Sequence, residues 1–506
     1  MAPNRMRDDL TARFAGCWDP SLPSPSLEEL TAYHGVVGGE VFTPHVPGSN
    51  APRALAVCTM QSHRVGPASL RLFMPLGHDL YDYPQVWADS DESLTELLSV
   101  IRRQARAAGA DAVSFPAIVL PEGLTPPPPL RRADTRVFDA RAVAEGWNWF
   151  VNKKSLRYQR NKLRRLFRYE ARHVCGDIRP EDLEELGALH RERWRMDGVR
   201  SPFHDAERGR AYLCRPENKV LTTLTVNGEP LAMNFAMLAG DTLLWHTVAI
   251  NVKYLDHSPI QVLLLETSEF CKAQGLQMLD FGVGDEPYKE RFANARRAVY
   301  EAFLPLTPRA RALEFARAHV DAQRVRERLS AARTAAGRAK GRWVTRGQTV
   351  VCYETTGRAD APDGEARLDV PDAFEDFVDL ARRLDLPLER MHHERYAAGA
   401  RFAALHDGRQ LLSQGWVTRA EPFWIEETDR HILLDGSVML FDFETPPAQR
   451  RRGYYTTLLR GLLARYPGET VRIYALSGNA ASNKAIRRAG FDTCPLWPAA
   501  PRESAP

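Results

Sequence analysis

One order of elements occurs twice along this chain, and it narrows the fold more than any single motif does. In a middle block the hydropathy pattern predicts a helix over 180–195 and three strand-like runs within 220–249. A helix over 259–274, a short strand at 276–282 and the turn DEPYKERFA come next. Asn227-Gly228 and Gly240-Asp241 supply the turns between the strand-like runs. A later block predicts a strand at 349–355, helices at 371–385 and 387–397, and paired strands at 401–406 and 410–418. It continues with a longer strand at 432–445, a helix at 453–465, a strand at 470–476 and a last helix at 480–489. TVNGEPLAMNFAML and ALHDGRQLLSQGWV share a pattern though few letters, which reads as an internal repeat of one α/β unit. Helices do not separate every strand, so a mixed sheet fits better than a doubly wound parallel one.

The first block carries strands at 54–60, 70–76 and 112–119 and a helix at 92–108 with Leu94, Leu97, Leu98 and Ile101 on one stripe. Pro126–Pro129 then make 121–132 a stiff connector, because four prolines continue neither helix nor sheet. This block reads as a degenerate copy of the same unit. The expected organisation is 1–135, 136–307, a basic helical linker over 308–347, and 348–506.

Bulk composition excludes several classes. At 506 residues and 44% hydrophobic, the chain has enough apolar content for real cores. A formal charge of +4 does not by itself argue for nucleic acid. The 7 cysteines are scattered without a CxxC pair, which predicts reduced thiols and neither a disulfide framework nor a zinc site. The first residues lack an apolar signal core, and no apolar run reaches about 18 residues. The expectation is a cytoplasmic protein with no membrane span.

The segment AQRRRGYYTTLL, 448–459, lies where the strand at 432–445 hands over to the helix at 453–465. Such a junction exposes backbone N–H groups at the positive end of the helix dipole. It is suited to an anion, with Gly453 allowing close approach and arginine adding bidentate donors. The other reading of Arg450, Arg451 and Arg452 is a solvated charge run. Strand 470–476 leads on into SGNAASNKAIRRAGF.

Here the chain resembles the GNAT acyltransferase superfamily. Arg450-x-x-Gly453-x-Tyr455 is similar to its R/Q-x-x-G-x-G/A loop, and Asn483-x-Ala485 followed by Gly490-Phe491 to its closing helix and strand. The resemblance covers roughly 348–495. It implies that Arg450, Arg451, Arg452, Gly453, Tyr454 and Tyr455, with Asn479 and Asn483, hold the diphosphate of acetyl-CoA or another acyl-CoA. Two positions depart from the pattern: Tyr455 replaces Gly or Ala, and Ile486 stands where the family often has a tyrosine acid. An amine nucleophile needs a base. Strand alternation puts Asp442 and Glu444 on one face and Phe441 and Phe443 on the other, with Glu444 the preferred base. The alternative for both carboxylates is the wet face of a half-buried strand.

MLDFGVGDEPYKERFA, 278–293, packs Asp280, Asp285, Glu286, Tyr288, Lys289 and Arg291 into one turn. It resembles the D-F-x-x-G-D-x-x-Y-K signature of BioF2-like (CelD-type) acyltransferases. The basic helix KKSLRYQRNKLRR, the GEPLA turn and Ser258-Pro259 agree, over about 50–310. Tyr288-Lys289 is also similar to the Phe-Lys pair of Fem-type peptidyltransferases, which implies Lys289 as an oxyanion partner, a role cationic donors suit. Asp285 and Tyr288 complete the implied catalytic set. The bland reading is a Lys–Glu surface turn with Tyr288 and Phe292 as core anchors. Ser258 fits an N-cap and Pro259 a first helical position; His257 is either a base or structural. The basic helix either tracks phosphates or is amphipathic with a solvated face, and 308–345 has the same ambiguity. No HExxH, GxSxG or P-loop pattern occurs, and no metal site is expected.

These readings converge on an α/β protein with a mixed (α+β) sheet built of tandem GNAT-like units. The expected reaction moves an acyl group from an acyl-CoA thioester to an amine of a small metabolite or an envelope or polysaccharide precursor. It needs no covalent enzyme intermediate. Aminoacyl transfer from charged tRNA is one alternative. A non-catalytic module binding acyl-CoA or an acyl carrier protein is another.

Overall fold

The computed structural model describes residues 22, 24–65, 68–204, 216–284, 286–319, 349–357, 366–428, 430–495 and 497. They fall into two compact units, one drawn from residues up to Asp321 and one from Ala322 onward, with Met196–Gly198 grouped with the second. Both units are mixed α/β.

The first unit is built on an 11-stranded sheet. Its strands are β1 (Val41–Phe42), β2 (Cys58–Val65), β3 (Ala68–Pro75), β4 (Ala112–Ile118), β5 (Arg131–Asp139), β6 (Tyr169–Cys175), β7 (Lys219–Val226), β8 (Glu229–Ala239), β9 (Thr242–Ile250), β10 (Met278–Asp280) and β11 (Ala295–Pro305). Their order across the sheet is β1-β2-β3-β4-β11-β5-β10-β9-β8-β7-β6. Around them run α1 (Leu27–Val37), α2 (Asp91–Ala107), α3 (Lys154–Leu166), α4 (Pro180–Met196), α5 (Pro259–Ala273), α6 (Pro287–Phe292) and α7 (Pro308–His319). β8 is buried along most of its length because both faces are covered. One core joins α1 and α4 to Leu221, Phe235 and Leu244, and another joins α3 and α5 to Val220, Ala236 and Leu243.

The expected boundary at 135/136 falls inside β5, and residues from both sides of it share the sheet, with β11 inserted between β4 and β5. β5 and β11 were not expected as strands. Their arginines are paired: Arg136 and Arg296 with Glu290 at 2.9 and 2.8 Å, and Arg297 with Asp280 at 2.6 Å. The basic helix, expected over 153–168, runs from Lys154 to Leu166. Tyr169–Cys175 pairs along β7 as a mostly exposed edge strand. Of the expected linker, α7 is described and 320–347 lies outside the described residues.

The second unit has a 7-stranded sheet. Its strands are β12 (Val350–Thr356), β13 (Arg367–Asp369), β14 (Arg401–His406), β15 (Leu411–Thr418), β16 (Val438–Glu444), β17 (Thr470–Leu476) and β18 (Asp492–Cys494), in the order β13-β14-β15-β16-β17-β12-β18. Its helices are α8 (Phe374–Arg383), α9 (Arg390–Ala397), α10 (Tyr454–Arg465) and α11 (Ala480–Ala489).

The repeat read from hydropathy is visible as topology. In the first unit the run β6-β7-β8-β9-β10-β5 is antiparallel except for the parallel pair β9–β10. In the second, β13-β14-β15-β16-β17-β12 repeats it, with β16–β17 parallel. A single helix, α5 or α10, crosses between the parallel strands in each.

Candidate functional site

In the first unit β9 and β10 pair from Thr242–Met278 to Leu244–Asp280, and β9 then continues to Ile250 paired with β8 on its other edge. A cavity of about 280 Å³ opens at this mouth. β9 lines it with Trp245, His246 and Thr247, and α4 with His190 and Trp194. The stretch after β3 contributes Asp79, Tyr81 and Asp82, and the DEPYK turn contributes Glu286 and Tyr288.

The DFG stretch divides its labour. Asp280 is fully buried, ion-paired to Arg297, and accepts from the Tyr83 hydroxyl at 2.8 Å and the Gly282 amide at 2.9 Å. It anchors β10 and is structural. Gly282 has φ +70°, and a Cβ there would stand 2.2 Å from Asp82 Oδ2. Only glycine lets this carboxylate rest on the loop. The Val283 amide also donates to Asp82. Burial pushes the Asp82 carboxyl up; the charges of His246 and Lys289 pull it down, and Asp280 adds to the rise.

Lys289 is buried. Its Nζ lies 2.8 Å from Glu286 Oε2 and donates to the Val283 carbonyl, so it ties the loop closed. Its charge reaches the cavity through Asp82. Tyr288 lines the cavity, its ring edge-on to Phe281 and its oxygen facing the Trp245 indole N–H; burial pushes the phenol well up. Asp285 lies outside the described residues. His190 Nδ1 sits 2.9 Å from Ser201 Oγ, the ring stacks on Trp194, and burial pushes the imidazole down to about 4. Ser258 precedes α5 in a left-handed conformation without a side-chain cap, while Pro259 takes the first helical position as expected. His257 is buried, edge-on to Phe167.

The basic helix α3 is amphipathic. Leu156 and Leu163 are buried, and Arg160 reaches Glu266 at 3.2 Å and Glu269 at 2.7 Å on α5. Lys154, Arg157, Arg164 and Arg165 face outward with Tyr158, which is 64% exposed.

In the second unit β16 leads to the arginine loop. Asp442 has φ +54°, and the β15 pairing jumps from Trp416–Phe441 to Gln414–Glu444. This bulge overturns the expected alternation. Phe441 packs with Met439 on one face, while Phe443 packs with Leu440 and Tyr455 on the other. One extra residue slips the register and turns each later side chain of the strand to the opposite face. Asp442 is held by Arg395 at 2.6 Å; Glu444 is exposed on the strand end.

Arg450, Arg451 and Arg452 are exposed, and Arg450 Nε donates to the Thr445 carbonyl at 3.1 Å, bracing the loop. Arg451 and Gly453 are left-handed, and Gly453 leaves the first turn of α10 without a side-chain cap. The loop thus brings Arg450 to Tyr455 together at a helix N-terminus. Tyr455 turns its ring onto Phe443 at 5.4 Å, and its hydroxyl lies 3.2 Å from Ser482 Oγ; burial pushes that phenol up to about 12. Asn479 caps α11 by accepting from the Ser482 amide. Asn483 is buried, accepts from the Tyr353 hydroxyl at 2.7 Å and donates to the Leu476 and Asn479 carbonyls at 2.8 Å. Ile486 is core.

Asp82, His190 and His246 were not among the sequence candidates. They come from three elements far apart in the chain, and no short motif joins them. Among the described residues no group of three or more His, Cys, Asp or Glu is arranged to hold a metal ion.

The family comparison agrees with this geometry. Residues 152–290 match the acetyltransferase (GNAT) domain family. The GNAT match runs from just before α3 into α6, so it takes in the parallel pair, α5 and the DFG stretch, and leaves out β5 and β11. No curated protein matches the chain. Among solved structures the chain is similar to the C-terminal domain (DUF2156) of an Agrobacterium fabrum protein named as a lysylphosphatidylglycerol synthetase, at 14% identity over 62% of this chain and 96% of that one, TM-score 0.41. It is similar to FemX at 11% over 60% and 96%, TM-score 0.37. A GCN5-related N-acetyltransferase from Kribbella flavida aligns at 11% over 49% and 90%, TM-score 0.29. Identities and scores this low carry no functional argument.

Proposed function

We infer that the chain is an N-acyltransferase carrying an acyl group from an acyl-CoA thioester to an amine, with the chemistry in the first unit. The observation that carries this reading is the polar cavity at the mouth of the β9–β10 pair, inside the GNAT-matched segment. The edge of β9 beyond Leu244 offers extended backbone for the amides of a pantetheine arm. Tyr288, kept protonated by burial, is suited to give a proton to the departing sulfur. Lys289 then acts by holding the loop rather than by touching the acyl oxygen. We keep the division into tandem units, a BioF2-like one ending near 307 and one after 348, with the linker between them.

In the second unit the uncapped start of α10 and its arginines suit a diphosphate. Ile486 in the core and the engaged Tyr455 favour a donor-binding rather than a catalytic role there, with Glu444 as the base if that unit turns over. The free cysteines among the described residues fit a reducing, cytoplasmic setting, and no described helix is long and apolar enough to cross a membrane. The test is turnover: acyl-CoA thioesters of several chain lengths with a panel of primary amines, read by mass spectrometry of the product. An N-acyl product is expected; none with any pair overturns the reading.

A second reading, aminoacyl transfer from charged tRNA, is favoured by the outward cationic face of α3 with exposed Tyr158. Filter binding of aminoacyl-tRNA at several salt concentrations tests it, and absence of salt-sensitive binding removes it.

A further inference from the structure

We propose that Asp82, from the segment after β3, is the general base that takes the proton from the acceptor amine in the cavity of the first unit. The assignment rests on the N-acyl transfer reading and adds a catalytic residue that lies outside the GNAT-matched segment.

Three observations carry it. Asp82 lines the cavity beside His246 and Tyr288, so its carboxylate stands where an acceptor enters. The loop after β10 is shaped around it: Gly282 lacks the Cβ that would strike Oδ2 at 2.2 Å, and the Val283 amide donates to it. Lys289 braces the same loop through the Val283 carbonyl and Glu286. The DFGVG stretch is thus a cradle that fixes a carboxylate supplied by the other part of the chain. Asp280, three places before Val283, is fully engaged with Arg297, Tyr83 and Gly282 and is not free for proton transfer.

The step balances simply. The acceptor enters as an ammonium ion and gives one proton to Asp82, which leaves a neutral amine nitrogen. That nitrogen attacks the thioester carbonyl carbon, the C–N bond forms, and the C–S bond breaks. The leaving thiolate takes a proton from Tyr288, the acylated nitrogen returns one to Tyr288, and Asp82 releases its proton to solvent. The groups whose charge bears on Asp82 are His246 on β9, Lys289 on α6 and Asp280 on β10. Asp79, Glu286 and His190 line the same cavity. A base works deprotonated, so the rate falls as pH drops through the Asp82 pKa, which burial moves above the ordinary carboxylate value.

The experiment compares two nucleophiles with the full chain: an alkyl amine, which must shed a proton, and hydroxylamine, which is already unprotonated at neutral pH. For Asp82→Asn, transfer to the alkyl amine is expected to fall about 100-fold or more. Transfer to hydroxylamine should stay within a few-fold, and acyl-CoA binding should be unchanged. Equal loss with both nucleophiles, or no loss, overturns the assignment. Should Asp82→Asn fail to fold, the unaltered enzyme still decides: with alkyl amines of different basicity an acid limb at one and the same pH is expected, and a limb that moves with each amine's own pKa overturns the proposal. If the unaltered enzyme transfers to neither nucleophile, the N-acyl transfer reading itself fails and the assignment falls with it.

Discussion

Asp280 and Asp82 lie against the same loop and serve different ends, because one is saturated with partners and the other faces a cavity. Removing the charge of Asp280 leaves Arg297 uncompensated with a fully buried partner site. Asp280→Asn is expected to destabilise the first unit by about 3–5 kcal/mol, read from the urea midpoint. His190 gives a pH signature. Its folded pKa is about 4 against an ordinary 6.5. Between those values the unfolded chain binds the proton and the folded one does not, so stability is full above about 6.5 and falls as pH drops toward 4. The loss attributable to His190 is on the order of 3 kcal/mol. Urea midpoints from pH 7 down to 4 should show a shallower fall for His190→Gln than for the unaltered protein.

The loop before α10 was legible as an element because its signals are local: a strand end, arginines, one glycine and an apolar stripe. Gly453 at φ +88° is where that local reading can be tested. A β-branched residue in this region costs about 1–2 kcal/mol, so Gly453→Val should weaken coenzyme A binding to the second unit roughly tenfold by calorimetry. Unchanged affinity would separate the loop from the donor. Other elements were not legible, for physical reasons. The strand expected over 432–445 is two pieces, Arg430–Ile432 and β16, broken at Asp435-Gly436, both with positive φ. Within β16 the Asp442 bulge depends on pairing with β15, which no window of sequence reveals. β5 and β11 are rich in charge, and the strand pairing and ion pairs that hold them in the sheet come from residues elsewhere in the chain. The cavity has the same character: Tyr288 and Lys289 were marked by their motif, whereas Asp82, His190 and His246 meet through tertiary structure alone.

At the scale of the molecule, the duplicated strand order says that one topology was used twice with different loops at the same junction. A left-handed Ser258 before Pro259 opens α5, and a left-handed Gly453 opens α10. Each unit has its own cores, so residues 1–321 and 322–506, made separately, are each expected to unfold in one cooperative transition by calorimetry. A chain cut at 135/136 is expected to yield insoluble halves, because the cut severs β5. β11 is the last strand of the first unit to be synthesised, yet it sits between β4 and β5. A nascent chain still short of Ala295 therefore emerges from the ribosome with two facing strand edges bare. The sheet can close only once translation has passed Pro305, which makes this the interval in which a newborn chain most needs a chaperone's cover.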